Sequence, residues 1–127
     1  MDNAPLVSTD FAKGEELLNT LDAAGLVVDV ALWAYLPEYE DWRLVLAGRT
    51  FEALGGKGAY RMLHDRLAKA GMPIERMPPV MILPMSDPLI RSLRRIFEKS
   101  KYVTGMRLGG QVIGDRFVED AYSYRIR

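Results

Sequence analysis

Apolar residues along the chain change their spacing several times, and each change marks an element. Phe11, Leu17, Leu18, Leu21 and Ala24 recur at helical intervals behind the N-cap oxygens of Ser8, Thr9 and Asp10. Gly25 follows as the left-handed residue on which many helices stop. From Val27 to Leu36 the chain is β-branched and aromatic, Pro37 to Asp41 is polar, and Trp42 to Ala47 is apolar again, which predicts a β-hairpin. Pairing Leu36 with Trp42 sets Tyr35 opposite Arg43, Ala34 opposite Leu44, Trp33 opposite Val45 and Leu32 opposite Leu46. Val30, Leu32, Ala34, Leu36, Trp42, Leu44 and Leu46 then make a core face. Asp29, Ala31, Trp33, Tyr35, Arg43, Val45 and Ala47 make the other. A shift of one residue would mix the two sets, so this register is preferred.

Beyond a glycine cluster in Thr50–Gly58, a second helix is predicted from about Gly58 to Ala70, with Tyr60, Leu63, Leu67 and Ala70 on one side and Gly71 at its end. Three prolines between Met72 and Pro79 mark a connector. Val80 to Leu83 is a short continuous apolar run, the pattern of a strand buried on both faces. Ser86, Asp87 and Pro88 read as two capping residues and a first helical residue. The third helix carries Leu89, Ile90, Leu93, Ile96 and Phe97 on its buried side. A second hairpin turns at Gly114-Asp115 and ends in an alternating strand from Phe117 to Ile126. The predicted order is α-β-β-α-β-α-β-β: an α+β fold of three helices and a five-stranded mixed sheet, in one domain spanning residues 1–127. Leu32, Leu36, Leu44, Leu46, Ile82, Leu93 and Phe97 are expected to be buried together.

At 127 residues, 49% apolar and 27% charged, the chain has the size and balance of one globular domain. It has no apolar run of membrane-spanning length and no secretory signal pattern, and with no cysteine it lacks disulfides, thiolate metal sites and thiol nucleophiles. The expected location is the cytoplasm. Net charge is zero but uneven: residues 1–48 hold 9 acids and 2 bases, residues 49–127 hold 8 acids and 15 bases. Such asymmetry either marks a nucleic-acid face or disappears when the halves pack together.

The candidate catalytic groups fail on spacing or side. Gly55-Gly56-Lys57-Gly58 lacks both the first glycine and the hydroxyl residue of a P-loop, so it reads as a structural glycine loop. Glu119 and Asp120 are neighbours in a predicted strand and point to opposite faces. His64 is the only histidine, and no serine has a nucleophile-elbow context. Glu38, Glu40 and Asp41 crowd the first hairpin tip, and with Asp29 they suggest a metal-dependent hydrolase, but no acid-x-lysine pair accompanies them. No catalytic residue, metal site or cofactor is assigned.

Two surfaces remain. Arg91, Arg94, Arg95 and Lys99 are three to four residues apart, a basic stripe opposite the apolar side of the third helix, suited to phosphates or an acidic partner. With Lys101 and Arg107 they outnumber Asp87 and Glu98 by six to two. Trp33 and Tyr35 share one face of the first hairpin with Arg43, the residue types enriched at interface centres. A second layer of helices would bury that face; without one, it is a contact surface for a protein partner or a second copy. The segments ALWAYLPEYEDWRLVLA and VEDAYSYR resemble a family of small, uncharacterised bacterial proteins. That resemblance implies a bacterial stand-alone domain and supplies no activity. The expected function is a small binding or protein-interaction module rather than an enzyme, with no membrane association. The alternatives are nucleic-acid association through the third helix and, behind it, the metal-dependent hydrolase.

Overall fold

The computed structural model describes residues 6, 8–97, 99–100 and 103–127, which leaves Glu98 and Lys101 of the basic cluster outside the described residues. In chain order the elements are α1 (Ser8–Ala23), β1 (Val30–Leu36), β2 (Asp41–Ala47), α2 (Arg49–Glu52), α3 (Gly55–Lys69), a 3-10 turn (Ile74–Arg76), β3 (Val80–Ile82), α4 (Pro88–Phe97), β4 (Arg107–Leu108), β5 (Gln111–Ile113), β6 (Arg116–Val118) and β7 (Asp120–Ile126). The α+β class and the mixed five-stranded sheet agree with the sequence. The helix count and element order do not.

Among the described residues there are four α-helices rather than three. The additional turn, α2, starts directly after β2 because the Asp29 carboxylate accepts the Arg49 N–H at 3.1 Å, satisfying an amide that a helix start leaves open. α3 begins at Gly55 rather than near Gly58. Glycine's poor helix propensity argued for the later start, but burial of Ala59, Leu63 and Leu67 holds the whole segment helical. α1 and α3 end alike: Gly25 and Gly71 have φ of +79° and +81°. Leu26 N–H then bonds back to Leu21 C=O at 3.0 Å, and Met72 N–H to Leu67 C=O at 2.9 Å.

The main sheet has the order β3-β2-β1-β7-β4, with β2 and β3 parallel and the other pairs antiparallel. Gly114 and Asp115 form the predicted turn, but they join β5 to β6 in a separate two-stranded sheet. The expected strand from Phe117 to Ile126 breaks at Glu119, whose N–H bonds to Tyr35 C=O at 3.3 Å and whose C=O accepts Gly110 N–H at 3.0 Å. The break lets β5 and β6 fold over one face of the sheet while β7 enters it beside β1.

That cover makes the sheet the middle of three layers. α1 and α3 pack on the face bearing Ala31, Trp33, Tyr35, Trp42, Leu44 and Leu46. α4 and the β5–β6 ribbon pack on the face bearing Val30, Leu32, Ala34, Leu36, Val45 and Ala47. The expected single core is therefore divided: Leu44, Leu46 and Ile82 lie on one side, Leu32, Leu36, Leu93 and Phe97 on the other.

The hairpin register is one residue away from the expected one, with Leu36 opposite Asp41, Tyr35 opposite Trp42, Ala34 opposite Arg43 and Trp33 opposite Leu44. Arg43 accordingly stands on the opposite face from Trp33 and Tyr35. The preference for the other register assumed one buried and one open face. Here both faces are buried, so hydrophobicity no longer selects a register. The turn decides instead: Glu40 takes a left-handed φ of +49°, closing a tight loop between Leu36 and Asp41.

β7 carries the second departure from simple alternation. Its pairing with β1 skips a residue between Ala31 and Leu32, which leaves Tyr124 as the extra residue of a bulge. Beyond it the alternation reverses. Arg125 now reaches the α1 side, where it bonds Asp22, and Ile126 joins the α4 core. Unbroken alternation would have put these two residues the other way round.

Tyr124 fits because α1 has Gly14 where it crosses the bulge. A Cβ at Gly14 would lie 2.3 Å from the Tyr124 hydroxyl oxygen and 2.9 Å from Trp33 Nε1. Gly14→Ala should therefore destabilise the fold, although the same change in an open helix gains about 1 kcal/mol. Overpacking of this kind costs about 1–3 kcal/mol, enough to reverse the sign. The urea midpoint should fall; a rise would mean that α1 has room at this position.

Candidate functional site

Trp33 and Tyr35, the expected centre of a contact surface, are only 3% and 8% exposed. Trp33 Nε1 donates to the Tyr124 hydroxyl at 2.9 Å, and that hydroxyl donates to Phe11 C=O. Tyr35 stands edge-on to Trp42 with ring centres 5.7 Å apart. Burial raises the Tyr124 phenol above its ordinary range. It raises Tyr35 as well, with the charges of Glu119, Glu40 and Asp41 adding to the effect. Both phenols stay protonated and serve as fixed polar groups of the core. Arg43 turns to the hairpin tip, where it bonds Asp41 at 3.1 Å and lies over the Tyr39 ring at 5.1 Å. The structure does not bring Trp33, Tyr35 and Arg43 together, because the register separates them and α1 and α3 cover the aromatic pair.

The acids are dispersed in the same way. Asp29 precedes β1 and the tip acids follow it, so seven strand residues at about 3.3 Å each keep them roughly 20 Å apart. Three of the four have local work: Asp29 caps α2, Glu38 pairs with Arg116 at 2.7 Å, and Asp41 pairs with Arg43. Asp120 holds Arg107 through two bonds of 2.9 and 3.1 Å. Among the described residues no group of three His, Cys, Asp or Glu side chains could hold a metal ion. His64 is exposed on α3. Asp87 does cap α4, accepting Leu89 N–H at 2.9 Å. The buried Ser123 hydroxyl donates to Val103 C=O, a structural role.

The glycine cluster opens α3 beside a cleft of about 190 Å³ lined by Phe51, Glu52, Gly55, Gly56, Ala59, Ile82, Leu83 and Pro84. Its walls are mainly apolar and its one charged lining residue is an acid, which opposes a phosphate. A larger cleft of about 410 Å³ lies between α1 and the end of β7. Arg125, on its wall, is already committed to Asp22 at 2.7 and 3.0 Å and to Val28 C=O at 3.0 Å.

The α4 stripe is different. Arg91, Arg95 and Lys99 are exposed, and Arg94 is half-buried. Arg94 Nε donates to Arg127 C=O at 2.6 Å, which seats Arg127 beside the helix, and Arg95 bonds Ser92 at 3.3 Å. None of the four makes an ion pair among the described residues, whereas Arg43, Arg66, Arg76, Arg107, Arg116 and Arg125 each pair with a carboxylate. Lys13, Arg49, Lys57, Arg61 and Arg127 are also without an ion pair among the described residues, but they are spread over several elements rather than gathered around one helix.

The same outer layer carries apolar residues that the sequence reading passed over. Ile96, expected on the buried side of its helix, is 63% exposed, and Val112 and Phe117 are 67% and 48% exposed. Val112 and Phe117 are cross-strand partners on the outer face of the ribbon. The Gly114-Asp115 turn, once placed, fixes that pairing from the sequence alone.

The Asp22–Arg125 pair ties α1 to β7 and gives a pH signature. Hydrogen bonding to Arg125 lowers the Asp22 pKa below its ordinary value, against a smaller opposing effect of burial. A lowered folded-state pKa contributes stability above the ordinary carboxylate range, and that contribution is lost as pH falls through the folded value. Asp22→Asn should therefore be less stable than wild type at about pH 7, with the gap in urea midpoint narrowing toward about pH 2. A gap unchanged over that range would exclude a charged pair as its origin.

No helix among the described residues is long and apolar enough to cross a membrane. Comparison with protein-family models, curated proteins and solved structures gives no match.

Proposed function

We propose that this chain is a small binding module that engages nucleic acid through the outer surface of α4. The observation that carries this reading is the run of Arg91, Arg94, Arg95 and Lys99, none of which pairs with a carboxylate side chain among the described residues, in a chain where most other arginines do. Like charges three or four residues apart on a helix cost about 0.2–0.5 kcal/mol per pair. The helix dipole offsets this for Arg94 and Arg95 in the last turn, but not for Arg91 in the first half of the helix. Phosphates docked along the stripe would remove the repulsion and release counterions. The exposed Ile96, Val112 and Phe117 supply apolar surface in the same layer.

Because Arg91, Arg95 and Lys99 are exposed and make no ion pair among the described residues, removing their charges should leave the fold intact, within about 0.5 kcal/mol for each change. Wild-type affinity for a mixed-sequence oligonucleotide should fall steeply with salt. The combined Arg91→Gln, Arg95→Gln and Lys99→Gln variant should lower the slope of log K against log salt by about 2–3, since each phosphate contact contributes about 0.7–0.9. A mobility-shift titration checks this, and no shift at low salt would eliminate the reading.

The exposed Val112–Phe117 pair favours a second reading, a protein contact or a homo-oligomer formed through the outer face of the β5–β6 ribbon. That association would be mainly hydrophobic and resist salt. Light scattering should show a complex insensitive to salt that dissociates when both residues become serine. A monomer at all salt concentrations would remove the homo-oligomer.

A further inference from the structure

The two edges of the main sheet are protected by different means. β4 is two residues long and presents Arg107, a short charged edge that offers little to a docking strand. β3 is more exposed to risk: Val80, Met81 and Ile82 are all apolar and all half-buried at the open edge. Such a strand is a template for pairing with another chain.

Its hydrogen-bonding groups alternate in direction. Leu44 N–H donates to Pro79 C=O at 2.8 Å and Leu83 N–H to Leu46 C=O at 2.9 Å, so residues 79, 81 and 83 face β2. Val80 and Ile82 therefore turn their N–H and C=O groups outward. An added strand needs those groups at every second residue. Pro84, next in the outward alternation, has no N–H. The Ile82 N–H is taken, since it donates to the hydroxyl of Tyr60 on α3 at 2.9 Å. Val80 is left as the outward donor.

We propose that Tyr60 is an edge guard whose hydroxyl occupies the outward Ile82 amide and thereby keeps β3 from pairing with β3 of a second copy. The helix that covers one face of the sheet also closes its edge. Tyr60 was read from the sequence as a residue on the apolar side of its helix; its ring serves that side while its hydroxyl reaches past it to the strand.

Two measurements test this. In the native wild-type chain, hydrogen exchange should be slow at the Ile82 amide and faster at the Val80 amide; equal rates would overturn the proposal without any variant. Tyr60→Phe keeps the ring and removes the acceptor. The folded variant should speed exchange at Ile82 and self-associate more strongly than wild type in sedimentation velocity over a concentration series. Adding Val80→Pro, which removes the remaining outward donor, should reverse that gain. A folded Tyr60→Phe chain that sediments as wild type does, or a gain that survives Val80→Pro, would overturn the assignment.

Discussion

The structure depends on a central strand without a polar side. All seven residues of β1 are buried, as are Trp42, Leu44, Val45, Leu46 and Ala47 of its neighbour β2. A sheet whose middle is apolar on both faces must be covered twice, and the remainder of the chain is arranged to do so. α1 and α3 cover one face with leucines. The other is larger than the ten residues of α4 can cover, and the β5–β6 ribbon supplies what the helix cannot. The break at Glu119, the turn at Gly114 and the separate small sheet all follow from that requirement.

The layers are also held in relation to one another by polar contacts where the bulge in β7 re-aims side chains. Tyr124 joins three elements through one hydroxyl, accepting from Trp33 on β1 and donating to Phe11 on α1. Its ring packs on Phe11 with centres 4.4 Å apart. A buried indole N–H without an acceptor costs about 1–3 kcal/mol, so the hydroxyl fixes the orientation of a large side chain as well as filling space. One residue further on, Arg125 makes the second tie from β7 to α1. The Arg125 contact needs the extra residue in the strand, since unbroken alternation would turn Arg125 to the other face.

Helices were legible where an apolar stripe followed polar residues suited to a helix start: Leu17, Leu18 and Leu21 behind Ser8, Thr9 and Asp10, and Leu89, Ile90 and Leu93 behind Asp87, which does cap its helix. The hairpin was legible as an element but not in register. Val45 and Ala47 are buried as fully as Leu44 and Leu46, so the one-sided burial that the preferred register assumed is absent, and the left-handed Glu40 that decides the pairing carries no strong residue signal. The bulge was invisible for a related reason, since Tyr122, Tyr124 and Ile126 alternate perfectly in sequence and only the α1 contacts show where the alternation slips. The Trp33, Tyr35 and Arg43 surface failed with the register on which it was built. The helical spacing of Arg91, Arg94 and Arg95 was legible because it is a local property of α4, whereas Lys99 lies beyond the helix end at Phe97.

Double cover also restricts where a partner can bind. The sheet faces are occupied, and the edges are closed by brevity and charge at β4 and by Tyr60 and Pro84 at β3. What remains is the outside of the two covering layers. On the α1–α3 side, positive charge is partly cancelled by local pairs such as Lys69–Asp65 and Arg76–Glu16. The α4–ribbon side combines Arg91, Arg94 and Arg95, which make no side-chain ion pair among the described residues, with exposed Ile96, Val112 and Phe117. The same elements added to cover the second face therefore also carry exposed charged and apolar groups on their outer side.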